Sequence, residues 1–173
     1  MSAMELLRGA TGPAHEAIDA AFGAHDLAAP DTYRAFLLAH ARALPPAERV
    51  MQSLPLGRAL PLRTALLSTD LDALGCAKPL PLAFDAPDDP AFTWGVLYVV
   101  EGSRLGGAML VRQVPDGMPR AYLGAVHGPG QWRMIRAALD DAAAAHDATW
   151  RDRMIRGALE TFDLYGRAIA VAG

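Results

Sequence analysis

Apolar residues recur at three- and four-residue spacing along most of this chain. Leu6, Leu7, Ala10, Ala14, Ile18 and Phe22 trace one stripe of an amphipathic helix over about 4–22. Asp31 is placed to cap a second helix, in which Phe36, Leu37, His40 and Leu44 repeat until Pro45-Pro46 predicts its end. Residues 45–61 are punctuated by proline, and a third helix is expected over about 61–74. Pro79, Pro81, Pro87 and Pro90 mark 78–90 as a loop whose end launches a further helix. A second irregular stretch runs from Pro115 to Pro129, and two helices are expected around 130–146 and 148–171. No segment alternates with the two-residue period of a strand, and no repeat is present. The pattern predicts an all-α, single-domain bundle of six to seven helices over residues 1–173.

The helix launched near Pro90 is unusual. Its run Gly95-Val96-Leu97-Tyr98-Val99-Val100-Glu101-Gly102-Ser103-Arg104-Leu105-Gly106-Gly107 carries four glycines. Each costs about 1 kcal/mol against alanine in a helix interior. At about 100° per residue, Gly95, Gly102 and Gly106 share one face, a strip of bare backbone roughly 16 Å long. Two readings account for it. Either another helix crosses closely there, or a flat ligand lies against the backbone.

A second candidate face lies on the first helix. Arg8, Thr11, Asp19 and Phe22 share the face of His15 to within about 40°. Asp19 can hold the ring nitrogen that His15 does not use, an arrangement typical of metal-ligating histidines. Arg8 sits about 10 Å up the helix, where it can meet an anionic group at the rim of a large ligand. Taken singly, His15 also reads as a half-buried hydrogen-bonded histidine, Arg8 as a solvated charge and Asp19 as an exposed carboxylate.

Composition narrows the classes. With 52% hydrophobic and 20% charged residues, the chain is globular rather than disordered. A net charge of −3 gives no support to nucleic-acid binding. Cys76 is the one cysteine, so no internal disulfide can form. The N-terminus lacks the basic-then-apolar pattern of an export signal, and Glu101 and Arg104 interrupt the longest apolar run. A cytoplasmic protein with no membrane partner is expected.

The stretch Leu7-Arg8-Gly9-Ala10-Thr11-Gly12-Pro13-Ala14-His15 resembles the start of haem oxygenases, where an Ala-Thr pair precedes the proximal haem histidine at this spacing. Leu97-Tyr98-Val99-Val100-Glu101-Gly102-Ser103-Arg104-Leu105-Gly106-Gly107 is similar to the distal helix of the bacterial branch, which includes the enzymes found beside bacteriophytochromes. The resemblance implies that haem, substrate and cofactor together, lies between these two helices with His15 as axial ligand and Asp19 holding its ring. Gly102, Gly106 and Gly107 would approach the distal face, leave room there for dioxygen, and let the helix flex over substrate and product. The implied reaction is reductive cleavage of haem at a meso carbon to biliverdin, carbon monoxide and ferrous iron. Its electrons come from an external donor, a ferredoxin or flavodoxin, or ascorbate in vitro; a bacteriophytochrome receiving biliverdin is an implied partner.

Further residues enter through the same resemblance. Ser103 stands where the animal enzymes carry a distal aspartate, so a proton relay must use waters held by backbone carbonyls or another side chain. Arg8 matches a basic position of the family, Arg133 or Arg136 are spaced like its partner in a propionate clamp, and Phe162 aligns with a pocket aromatic. Thr11 belongs to the same ligand-facing surface. Elsewhere, His40 reads as a hydrogen-bonded core histidine, and His25, His127 and His146 as exposed. Glu101 reads as part of a local salt bridge, and Tyr98 and Trp94 as packing residues. A haem-binding sensor, carrier or protein-interaction module without catalysis is the competing reading. A di-iron site lacks its Glu-x-x-His spacing, and Cys76 gives only slight support to a thiaminase-like nucleophile.

Overall fold

In a computed structural model the structure describes residues 1–171; the last two residues of the expected 1–173 domain lie outside the described residues. Six long helices carry the architecture: α1 (Ala3–Gly23), α2 (Pro30–Met51), α4 (Thr64–Ala73), α5 (Pro90–Leu110), α7 (Gln131–Ala144) and α8 (Ala148–Val171). Two single turns, α3 (Pro55–Ala59) and α6 (Ala121–Gly124), and a 3-10 turn at Val111–Gln113 complete the described residues. The turns α3 and α6 fall within the two proline-punctuated stretches, where apolar periodicity is too short to register, and the 3-10 turn directly continues α5.

Several helix starts are fixed by side-chain caps, two of them carboxylates brought from distant helices. In α1, Ser2 Oγ accepts from the Glu5 amide and Glu5 Oε2 accepts from the Ser2 amide, a reciprocal capping box. Glu48 of α2 accepts from the amides of Arg63 and Thr64, capping α4 across a gap of 15 residues. Asp70 does the same for α6 through the amides of Ala121 and Tyr122. Asp89 caps α5 and also pairs with Arg153 of α8 at 2.8 Å. Gly130, at φ +75°, makes the left-handed turn into α7.

Two expectations for α2 are corrected. Its N-cap is Ala29 with Pro30 in the first turn, and Asp31 pairs instead with Arg34. The helix also runs through Pro45 and Pro46 to Met51 rather than stopping there. Pro46 leaves the Arg42 carbonyl without a helical donor, and the amide of Leu82 supplies one at 2.8 Å. A partner from the 78–90 loop thus removes the cost that ordinarily ends a helix.

The longest helices pack around α5, with α8 and α2 against it and α1 and α7 against each other. One core gathers Phe36, Leu37, Leu44, Phe92, Val96 and Leu97; a second lies between α1, α7 and α8 around Leu7, Leu139, Met154 and Ala158. Among the described residues, no helix is long and apolar enough to cross a membrane.

Candidate functional site

The glycine face of α5 divides into two parts. A Cβ on Gly95 would stand 2.0 Å from the Met154 carbonyl oxygen, and one on Gly157 would stand 2.0 Å from the Phe92 carbonyl oxygen. Here α5 and α8 cross backbone to backbone, and only glycine permits the approach. At Gly102 the nearest atom to an added Cβ is Trp132 Cη2 at 4.0 Å, and at Gly106 nothing lies within 4 Å. Gly107 turns inward, where a Cβ would meet the Leu123 carbonyl oxygen at 3.2 Å.

Beneath this open half lies a cavity of about 560 Å³, within the range of small-molecule sites. Arg8, Thr11, His15, Asp19 and Phe22, the face read from α1, all line it together with Gly102, Ser103, Gly106 and Gly107. Phe162 of α8 lines it too and meets the His15 ring edge-on, centroids 5.7 Å apart. Asp19 Oδ2 lies 3.3 Å from His15 Nδ1. A carboxylate only accepts, so this contact favours the tautomer protonated at Nδ1 and leaves Nε2 as the lone-pair nitrogen. Thr11 is buried, and its hydroxyl donates to the Leu7 carbonyl at 2.8 Å, so it presents its methyl rather than a polar group.

Arg133 and Arg136 are not brought into this group. Both are exposed on α7 and outside the cavity lining, because that helix buries Ile135, Leu139 and Ala143. Arg8 is the cation that the α1 side supplies.

Arg63, which local sequence pattern did not single out, is buried in the cavity wall. One guanidinium nitrogen donates to both the Val100 carbonyl and Ser103 Oγ, each at 2.7 Å, while the Ser103 hydroxyl donates to Val100 at 2.7 Å. Its planar group also lies over the Tyr122 ring, 5.3 Å from the centroid. The Glu48 capping contact pins the Arg63 backbone to α2, as the side chain is pinned to α5.

His40 also lines the cavity. Its Nδ1 donates to the Phe36 carbonyl at 2.9 Å, as a core histidine would, and its ring packs among Phe22, Phe36, Tyr122 and Tyr165. Burial pushes its pKa from 6.5 down to about 3, so the imidazole is neutral. Burial likewise raises the pKa of Tyr122 and of Tyr165, whose hydroxyl has no partner among the described residues.

His127 departs from expectation. Rather than being exposed, its side chain is buried and its Nε2 lies 3.0 Å from Glu101 Oε2, because the 115–129 stretch folds back on α5. Glu101 pairs with Arg104 at 2.8 Å, the local salt bridge read from sequence. His146 is exposed and stacks on Trp150, while His25 is half-buried beside Phe22.

Among the described residues, no group of three or more His, Cys, Asp or Glu gathers to hold a metal ion. His15 is therefore a single imidazole on a largely apolar cleft, a donor set suited to an iron already held by a porphyrin.

No family model matches the chain. Over 98 residues it is 36% identical to a haem oxygenase of Xanthomonas campestris pv. campestris, a match covering 50% of this chain and 58% of that protein. Its fold superposes on the haem oxygenase of Neisseria meningitidis, solved with NO and CO bound, with a TM-score of 0.81 at 21% identity. That superposition takes in 99% of this chain and 92% of the other. The chain thus has the haem oxygenase fold, and the matched segment, which spans less than two thirds of the Xanthomonas protein, is similar in sequence to a haem oxygenase.

Proposed function

We propose that the chain binds haem in the cavity between α1 and the open half of α5 and degrades it. The reaction opens the macrocycle at a meso carbon, giving biliverdin, carbon monoxide and ferrous iron at the expense of dioxygen and electrons from an external donor. The observation that carries this reading is the sharing of one cavity by His15 and the bare backbone at Gly102 and Gly106.

Haem, as substrate, supplies the oxygen chemistry, and the side chains orient it and manage protons. His15 Nε2 would bind the haem iron, and Asp19 would fix the ring through Nδ1 and raise its basicity. Arg8 holds a propionate at the rim as a charge-assisted hydrogen bond. Gly102 and Gly106, having no side chains, would let the macrocycle approach the α5 backbone and leave room there for dioxygen. Ser103 has already given its proton to Val100 and taken one bond from Arg63. Its remaining lone pair accepts from a water rather than protonating substrate directly. Arg63, neutral His40 and the partner-free Tyr165 hydroxyl complete a polar chamber that orders such waters without a distal carboxylate.

Hemin titration followed by reductant in air tests the reading. A histidine-ligated complex that decays to the biliverdin spectrum is expected; absence of any complex would remove it. One observation favours the competing role of haem carrier or sensor: Asp19, on the α1 side, is the one carboxylate lining the cavity among the described residues. A complex that survives reductant and oxygen unchanged would select that role.

A further inference from the structure

The buried group around Glu101 has no part in the chemistry above, yet it borders the cavity. Glu101 is fully buried, and its Oε2 accepts from Arg104 Nε at 2.8 Å and from His127 Nε2 at 3.0 Å. Arg104 also donates to the carbonyls of Ala125 and Pro61, tying α5 to the segments on either side. The His127 ring stacks on Trp132, with centroids 5.4 Å apart and planes 27° apart. Trp132 in turn lines the cavity, and its Cη2 is the atom nearest to where a Gly102 side chain would begin. The contacts close a circuit, from Glu101 through His127 and Trp132 back to Gly102, the next residue in the chain.

We infer that Glu101 and His127 are positioning residues that hold the Trp132 indole against Gly102 as a wall of the haem cavity. As a statement about haem, this rests on the function proposed above; as a statement about Trp132, it does not. The bond to a carboxylate requires the proton on His127 Nε2, so Nδ1 is a bare lone pair, buried without a donor. A second proton would bury an N–H with no acceptor. Burial and the nearby Arg104 and Arg63 cations oppose it, while Glu101 favours it, and the net direction is a lowered pKa. The imidazole is thus a neutral, fixed plate on which the indole rests.

The test uses the full chain without haem, then with hemin. In the apo protein, the indole N–H resonance of Trp132, assigned by its loss in Trp132→Phe, reports the stack. His127→Ala and His127→Gln are expected to shift it and leave those of Trp94 and Trp150 in place. His127→Phe, which keeps a ring but not the bond to Glu101, is expected to bring the resonance only part of the way back toward the wild-type position. In hemin titrations, His127→Ala should weaken binding by about fivefold, with the axial-histidine spectrum retained, and His127→Phe should recover to within about twofold. An unmoved Trp132 resonance in both the Ala and Gln variants overturns the inference, as does a Phe variant no better than Ala. If His127→Ala does not fold, the Gln and Phe pair decides alone. Should the wild type bind no hemin, the haem reading fails while the apo resonances still settle the placement of Trp132.

Discussion

The two halves of α5 put the same residue type to opposite uses. Toward its N-terminus, Gly95 meets Gly157 of α8 in a crossing where a single methyl group would strike backbone at 2.0 Å. Two turns later, an added Cβ on Gly102 would meet nothing nearer than the Trp132 indole at 4.0 Å and one on Gly106 nothing within 4 Å, both beside a cavity. At Gly95 glycine is required by the protein itself; at Gly102 and Gly106 it is required by nothing in the protein. A helix that forgoes about 1 kcal/mol per glycine without a packing return points to a constraint supplied from outside the chain. The difference separates the two readings of the sequence strip: the close crossing accounts for Gly95, and the proposed ligand would account for Gly102 and Gly106.

The sharpest way to break this contrast is to add methyl groups. Gly95→Ala or Gly157→Ala should cost about 3 kcal/mol or more, or prevent folding, as backbone atoms cannot give way like a side chain. Urea unfolding monitored by circular dichroism measures this, and a loss below about 1 kcal/mol would show that the helices can separate cheaply. Opposite the open half, His15→Ala should remove the axial-histidine signal from the hemin spectrum and with it turnover, while leaving the apo protein folded. Retained turnover at the wild-type rate would dismiss His15 as the ligand.

Gly106→Ala is expected to produce a split result. The apo protein should gain up to about 1 kcal/mol of stability from helix propensity, while hemin binding or turnover falls. A variant both more stable and fully active would mean that the open half has no ligand to accommodate.

A last contrast concerns pH. The crossing at Gly95 involves no titratable side chain, whereas the open half faces His40, whose folded pKa of about 3 lies below the 6.5 of the unfolded chain. Between those values the unfolded chain binds more protons, so stability rises with pH through this window and is level above it. About 2 kcal/mol should be lost on going from pH 7 to pH 5. His40→Phe should flatten that slope in urea titrations at the two values; an unchanged slope would assign it to other groups.

Much of this was written in local pattern. The stripe through Leu7, Ala14 and Ile18 and the face through Arg8, His15, Asp19 and Phe22 depend on neighbours three, four or seven residues away, and such spacings survive folding unchanged. What escaped was set by distant partners. Pro45-Pro46 ends a helix unless something supplies the missing donor, and Leu82, 36 positions on, gives no sign of doing so. Arg63 stands between two helices without periodicity, and its place in the cavity follows from Glu48 and Ser103. His127 sits in a proline-bounded stretch that reads as exposed until Glu101 is seen to recruit it. Arg133 and Arg136 were legible in part, since the spacing of Ile135, Leu139 and Ala143 already faces α7 the other way.

The bond from Leu82 to the Arg42 carbonyl has a consequence for exchange with solvent. Residues 78–90 form an otherwise extended strip with few backbone partners, where amide protons should exchange within the dead time of a deuterium experiment. The Leu82 amide is the exception, because its release requires the loop to leave α2 at the point where two prolines have removed that helix's own donors. It therefore behaves as a rivet whose protection factor reads the fastening of loop to helix directly, and a Leu82→Pro chain, unable to donate, should let α2 fray from Pro45 toward Met51.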